Sequence, residues 1–146
     1  MVETLLAACK LVTDTIYNGR NDIGLADVKF GGLPKLTKFP ACMIMAGELT
    51  RIPEASGRQT ELTFSVLVYV LHTDITKDLQ TRTEEDMLMA EAVTTYLHSD
   101  FTFGGQLAGS WISVERPRPI PGKRAAHHVL TTELTWTGKS RGRIGT

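Results

Sequence analysis

Residues 60–72 of this 146-residue chain, TELTFSVLVYVLH, constrain the fold more than any other stretch. Leu62, Phe64, Val66, Val68 and Val70 recur at every second position, the period of a β-strand with one buried face. The intervening positions begin polar, as Glu61, Thr63 and Ser65, and then turn apolar as Leu67, Tyr69 and Leu71. The apolar part of that second face needs a cover of its own, whether a helix, another sheet or another subunit, with a second helix layer as the default. No other run is both as long and as regular, so it is taken as the central strand. The residues alone point to a binding or assembly module.

On the N-terminal side, residues 2–17 place Leu5, Ala8, Cys9, Val12 and Ile16 at helical spacing, which predicts a one-sided amphipathic helix. Asn18-Gly19 is expected to end it in a left-handed cap. The next twenty or so residues read as loop, with a short strand over 26–30. The apolar run FPACMIMA at 39–46 predicts a buried strand. Residues 47–59 carry Gly47, Pro53, Ser56-Gly57 and several charges, and read as a long hairpin connection.

Beyond the central strand, Thr83 with Asp86 three residues on resembles a capping box opening a second helix, with Glu84, Glu85 and Asp86 suited to its N-terminus. Met89, Val93, Tyr96 and Leu97, widened by Leu88, Ala90 and Ala92, form its apolar stripe as far as His98. Residues 101–105 are read as a turn and 111–115 as a short strand. Residues 122–125 are expected as a basic turn. Residues 127–137 form the last strand, with His128, Leu130, Thr132, Leu134 and Trp136 on one face. Residues 138–146 read as a basic, flexible tail. The expected fold is α+β: a mainly antiparallel sheet of about four to five strands with two amphipathic helices on one face, in the order α-β-β-α-β-β. The length suits one domain.

Sixteen basic residues balance sixteen acidic ones, so net charge directs the chain to neither nucleic acid nor membrane. The balance conceals a split. Asp74, Asp78, Glu84, Glu85, Asp86, Glu91 and Asp100 face only Lys77 and Arg82 between 74 and 100. Arg116, Arg118, Lys123, Arg124, Lys139, Arg141 and Arg143 are opposed by Glu133 alone from 116 onward. Separated surfaces of opposite sign can dock copies of the chain in register, or can simply be solvated. The 116–124 and C-terminal bases suit nucleic-acid phosphates or an acidic protein partner, but aromatic residues are not interleaved with them in the sequence.

Signals for chemistry are weak. Adjacent His127 and His128 point to opposite faces of a strand, and His72 and His98 are isolated, so no metal site is expected. The serines lack a nucleophile elbow, and Gly31-Gly32 and Gly104-Gly105 lack a phosphate-loop pattern. Neither cofactor nor catalysis is expected. Cys9 and Cys42 read as small buried hydrophobes. Glu3 and Lys10 interrupt the apolar N-terminal run, so no signal peptide is expected, and no stretch approaches the roughly 20 apolar residues of a membrane span.

The segments FPACMIMAGE, TELTFSVLVYVLH, YLHSDFTFGG and TTELTWTGKSR, in that order behind an N-terminal helix, resemble the tail terminator, or tail-completion, proteins of long-tailed bacteriophages. That resemblance implies a small α+β subunit that forms a hexameric ring, caps the tail tube and meets a head-completion protein. It implies no catalytic residues, and a virion location at the head–tail junction after assembly in the host cytoplasm. It makes Glu84, Glu85, Asp86 and Glu91 candidates for one side of a subunit interface and Arg116, Arg118, Lys123 and Arg124 for the other. Arg51, Glu54, Arg58, Lys139, Arg141 and Arg143 become candidates for contact with tube protein, neck protein or DNA in the lumen. A head-completion or adaptor protein is the near alternative, and a small enzyme or ligand-binding domain the distant one. The resemblance does not account for the long loop over 18–38.

Overall fold

Alternation along the central run places it in the middle of a sheet whose one side is covered by helices. The structure, a computed structural model, describes residues 2–31, 38, 40–53, 59–73, 79–116, 122–124 and 127–143. In chain order the elements are α1 (Leu5–Asn18), α2 (Arg20–Ile23), β1 (Asp27–Phe30), β2 (Ala41–Pro53), β3 (Gln59–Thr73), α3 (Leu79–His98), β4 (Gly109–Arg116), β5 (Gly122–Arg124) and β6 (His127–Arg143). The six-stranded sheet runs β1-β2-β3-β6-β4, with β5 also paired to β6. β1 is parallel to β2, and every other pairing is antiparallel. The chain is α+β, as its pattern predicts. The element order is fuller than the expected α-β-β-α-β-β, because α2 and β5 are added and the short strand expected over 26–30 is present as β1.

Leu62, Phe64, Val66, Val68 and Val70 of β3 are all buried. They meet Cys42 and Ile44 of β2, Leu134 and Trp136 of β6, Ala8, Cys9, Val12 and Ile16 of α1, and Ala90, Val93 and Leu97 of α3 in one cluster. Each such side chain removed from water contributes about 1.5–3 kcal/mol, so this cluster dominates the stability of the fold. α1 lies over β1, β2 and β3, whereas α3 lies over β3, β6 and β4.

Several boundaries depart from the sequence expectation. α1 starts at Leu5, capped by Thr4, whose Oγ1 accepts from the Ala7 amide at 3.1 Å. Gly19 is not left-handed but has φ −93°, and the chain turns there into α2; Gly24, with φ 94°, is the left-handed terminator. The run expected as loop therefore contains a helical turn.

The hairpin between β2 and β3 is longer than expected. Ala46 pairs with Val66 and Leu49 with Phe64, so Gly47 and Glu48 together oppose Ser65 in a bulge. A Cβ on Gly47 would collide with the Ser65 backbone, which explains glycine at that point. Beyond the bulge the ladder resumes and runs to Pro53 opposite Thr60. Residues 47–53, expected as loop, are strand, and 54–58 lie outside the described residues.

α3 begins at Leu79, a full turn before Thr83. The expected capping box is thus inside the helix, and no acidic residue lies in its first turn. Leu88 does not widen the buried stripe, being 65% exposed. At the C-terminus, β6 continues through Arg143, pairing residues 138–143 with Gln59 through Phe64. The segment expected as a flexible tail is therefore strand to that point.

Candidate functional site

The helices divide the two faces of the sheet unequally. Among the described residues every helix packs against the face that carries Val66 and Val68, so the default cover for the reverse face, a second helix layer, is not what the fold supplies. On that reverse face the register sets Ala41 opposite Leu71, Met43 opposite Tyr69, and Met45 opposite Leu67. Ala41, Met43 and Leu71 are buried, with half-buried Tyr69 packed against them. Burial pushes the Tyr69 phenol up, and the charge of Glu133, opposite it on β6, adds to the effect. Farther along, Met45 is 39% exposed and Trp111 of the edge strand β4 is 40% exposed. The reverse face thus grades from a small closed cluster into an apolar strip of Met45 and Leu67, from which Thr135 and Thr137 of β6 separate Trp111.

Charged residues gather at the end of the sheet where β2, β3 and β6 extend together. Lys139 pairs in register with Thr63, Arg141 with Glu61 and Arg143 with Gln59, while Arg51 lies opposite Leu62. The Lys139 Nζ is 3.3 Å from a Glu61 carboxylate oxygen and 5.7 Å from the centroid of the Trp111 ring. Arg51, Lys139, Arg141 and Arg143, scattered over more than 90 positions of sequence, therefore share one end of the sheet. Arg51 sits in strand rather than at a loop tip, and it is exposed. Glu54 and Arg58 lie outside the described residues.

The two sets expected at a subunit seam fall on different layers. Glu84, Glu85, Asp86 and Glu91 are on α3, with Glu84 and Glu91 exposed and Glu85 half-buried. Glu85 lines a shallow depression with Ile23, Leu88, Met89 and Ala92. Glu84 and Glu85 already interact within the chain. Arg116 ends β4 opposite Glu133, and Lys123 and Arg124 form β5 opposite His128 and His127. Acidic helix and basic sheet edge are thus separate features of one chain. Arg118 lies outside the described residues.

The turn after α3 proves to be a built structure whose details the sequence reading passed over. Asp100 accepts from the Gly104 amide at 2.8 Å and from the Thr102 hydroxyl at 3.1 Å and amide at 3.2 Å. The Gly104 bond, then that of the Thr102 hydroxyl, holds the carboxyl below its ordinary range. Phe103, at φ 51°, turns inward and packs 5.6 Å from the Trp136 ring. The Asp-x-Thr-x-Gly spacing was the available signal for this loop. Trp111 beside Lys139 left no such signal, because nothing in the local sequence joins them.

No protein-family model matches this chain, and no curated protein matches it. Among the described residues there is no group of three His, Cys, Asp or Glu side chains able to hold a metal ion. Cys9 and Cys42 are free and buried, and burial pushes the Cys9 thiol up. Among the described residues no helix is long and apolar enough to cross a membrane. What the arrangement offers is surface: an open apolar strip on one sheet face, an acidic helix, and a basic strand end with an indole beside it.

Proposed function

We propose that this chain is a structural assembly protein of a long-tailed phage, capping the tail tube as a ring and joining it to the head–neck proteins. The observation that carries this reading is the sheet face that no helix among the described residues covers, where Met45, Leu67 and Tyr69 form a partly exposed apolar strip. Such a strip suits a neighbouring subunit, because burial between copies removes apolar surface from water as a core does. Ring closure repeats a contact between two unlike patches. The acidic α3 and the basic β4–β5 edge lie on different layers and supply unlike surfaces within each copy. The resemblance to tail terminators supplies the hexameric ring and the tail-tube and neck partners. The end of the sheet that carries Arg51, Lys139, Arg141 and Arg143 then faces tube protein, neck protein or DNA in the lumen, and the protein works without catalysis.

Deletion of the gene followed by electron microscopy of the particles tests this. Separate heads and tails, with tails overlong or unfinished, are expected. Normal infectious particles would overturn the reading.

A further inference from the structure

The helix side of the sheet holds a cavity of about 310 Å³ between α1 and the C-terminal end of α3. Leu11 of α1, Leu97 of α3 and Phe103 of the following loop give it apolar walls, and Tyr96 adds an aromatic one. Asp100 also lines it and is exposed, so its carboxylate stands at the mouth. That carboxylate accepts from the Thr102 hydroxyl and from the Thr102 and Gly104 amides, all of them neutral donors. These bonds keep it ionised, and among the described residues no cation acts on it. The charge is held in place without being cancelled.

The end of α3 adds to the negative potential, because the last carbonyls of a helix carry partial negative charge. His98 is the basic residue of that last turn, but its Nε2 accepts from the Ile112 amide. The ring is therefore neutral in this contact and supplies no counter-charge. An apolar cavity with a negative mouth suits a cation on a short apolar stem. An anion would meet repulsion there, and a neutral molecule would gain nothing from the carboxylate.

We propose that this cavity binds a small alkylammonium ion, with the stem against Leu11, Leu97 and Phe103 and the ammonium at Asp100. The site goes beyond the assembly reading and does not depend on it, since its groups belong to α1, α3 and the loop that follows. A free amine and a lysine side chain of another protein carry the same chemistry, and the probes below separate them.

The test is an NMR titration of the full chain with n-butylammonium chloride at constant ionic strength, read at the amides of Thr102 and Gly104. Saturable shifts are expected. n-Butanol, which has the same stem without the charge, should bind about 2- to 5-fold more weakly, the range for a carboxylate–ammonium contact open to water. Asp100→Asn should remove that difference. Because this change also disturbs the loop, Thr15→Phe is the second variant. Thr15 lines the cavity from α1, so a ring there fills the space and leaves Asp100 in place, and the saturable shifts should be lost. Nα-acetyl-lysine amide presents the same stem from a backbone: binding tighter than that of n-butylammonium assigns the site to a lysine side chain, and weaker binding to a free amine. No saturable shift with n-butylammonium would overturn the proposal. So would equal affinity for n-butanol, or unaltered binding by Thr15→Phe. Normal particles on gene deletion would remove the assembly reading and leave the amine site standing.

Discussion

Gly19 lies against the ring of Tyr96, so close that a Cβ at position 19 would overlap the ring carbons. Gly19 is the elbow between α1 and α2, and Tyr96 belongs to α3, so this contact keys three helices together. Substitution Gly19→Ala must displace the ring. Because a ring on the end of a side chain can swing, a loss toward the lower end of the overpacking range, about 1 kcal/mol, is expected. Urea denaturation of Gly19→Ala, Tyr96→Ala and the double variant checks this. The double variant should lose less than the two single losses combined, and strict additivity would refute the contact.

Phe103 holds a left-handed backbone, which costs a non-glycine residue about 1–2 kcal/mol. Its ring is buried and packs on Trp136. Removing a buried Phe ring costs about 3–5 kcal/mol, so packing outweighs strain. Phe103→Gly is therefore expected to destabilise by about 2–3 kcal/mol, with the backbone relief included. A melting temperature equal to or above that of the parent would show that the ring contributes little.

Asp100 makes stability fall in acid. Its carboxylate is held below the ordinary range by the Gly104 amide and the Thr102 hydroxyl, so the folded chain binds its proton less readily than the unfolded chain does. The contribution is fully present above the unfolded-state value and is lost as pH falls through the lower, folded-state value. Thermal melts below about pH 4 should therefore steepen their fall with decreasing pH. Asp100→Asn, which cannot accept from both Gly104 and Thr102 alike, should lower the melting temperature at neutral pH and flatten that acid limb. An unchanged limb would place the pH dependence elsewhere.

The Ile112 amide of the edge strand β4 donates to His98 Nε2 at 3.0 Å, at the end of α3. This ties the edge of the sheet to the helix layer and requires a neutral imidazole with its proton on Nδ1. His98→Ala removes the acceptor at an exposed site, for an expected loss of about 0.5–1.5 kcal/mol. Amide hydrogen exchange at Ile112 should accelerate in the variant while exchange at core amides of β3 follows only the global change. Equal protection at Ile112 would mean that the bond does not persist in solution.

The accuracy of the sequence reading followed the range of the forces involved. The core face of β3, the buried side of α1 and the His98 end of α3 were legible, because an alternating or helical apolar pattern reports burial locally. The boundaries misread were those where breakers and charges suggested a loop. Gly47 is a bulge that lets β2 continue, and Gly138 to Arg143 are strand because Gln59 through Phe64 supply their ladder partners. Thr83 resembled a cap because local spacing cannot register a helix that has already begun at Leu79.

By itself, then, the sequence determined the α+β class, the central strand and the identity of most core side chains, since hydrophobic period and turn chemistry act over a few residues. Only the tertiary structure decided that β1 joins parallel to β2 and that Trp111 stands beside Lys139. Those relations depend on strand order and register, which arise from contacts between segments far apart in the chain, and no local pattern encodes them.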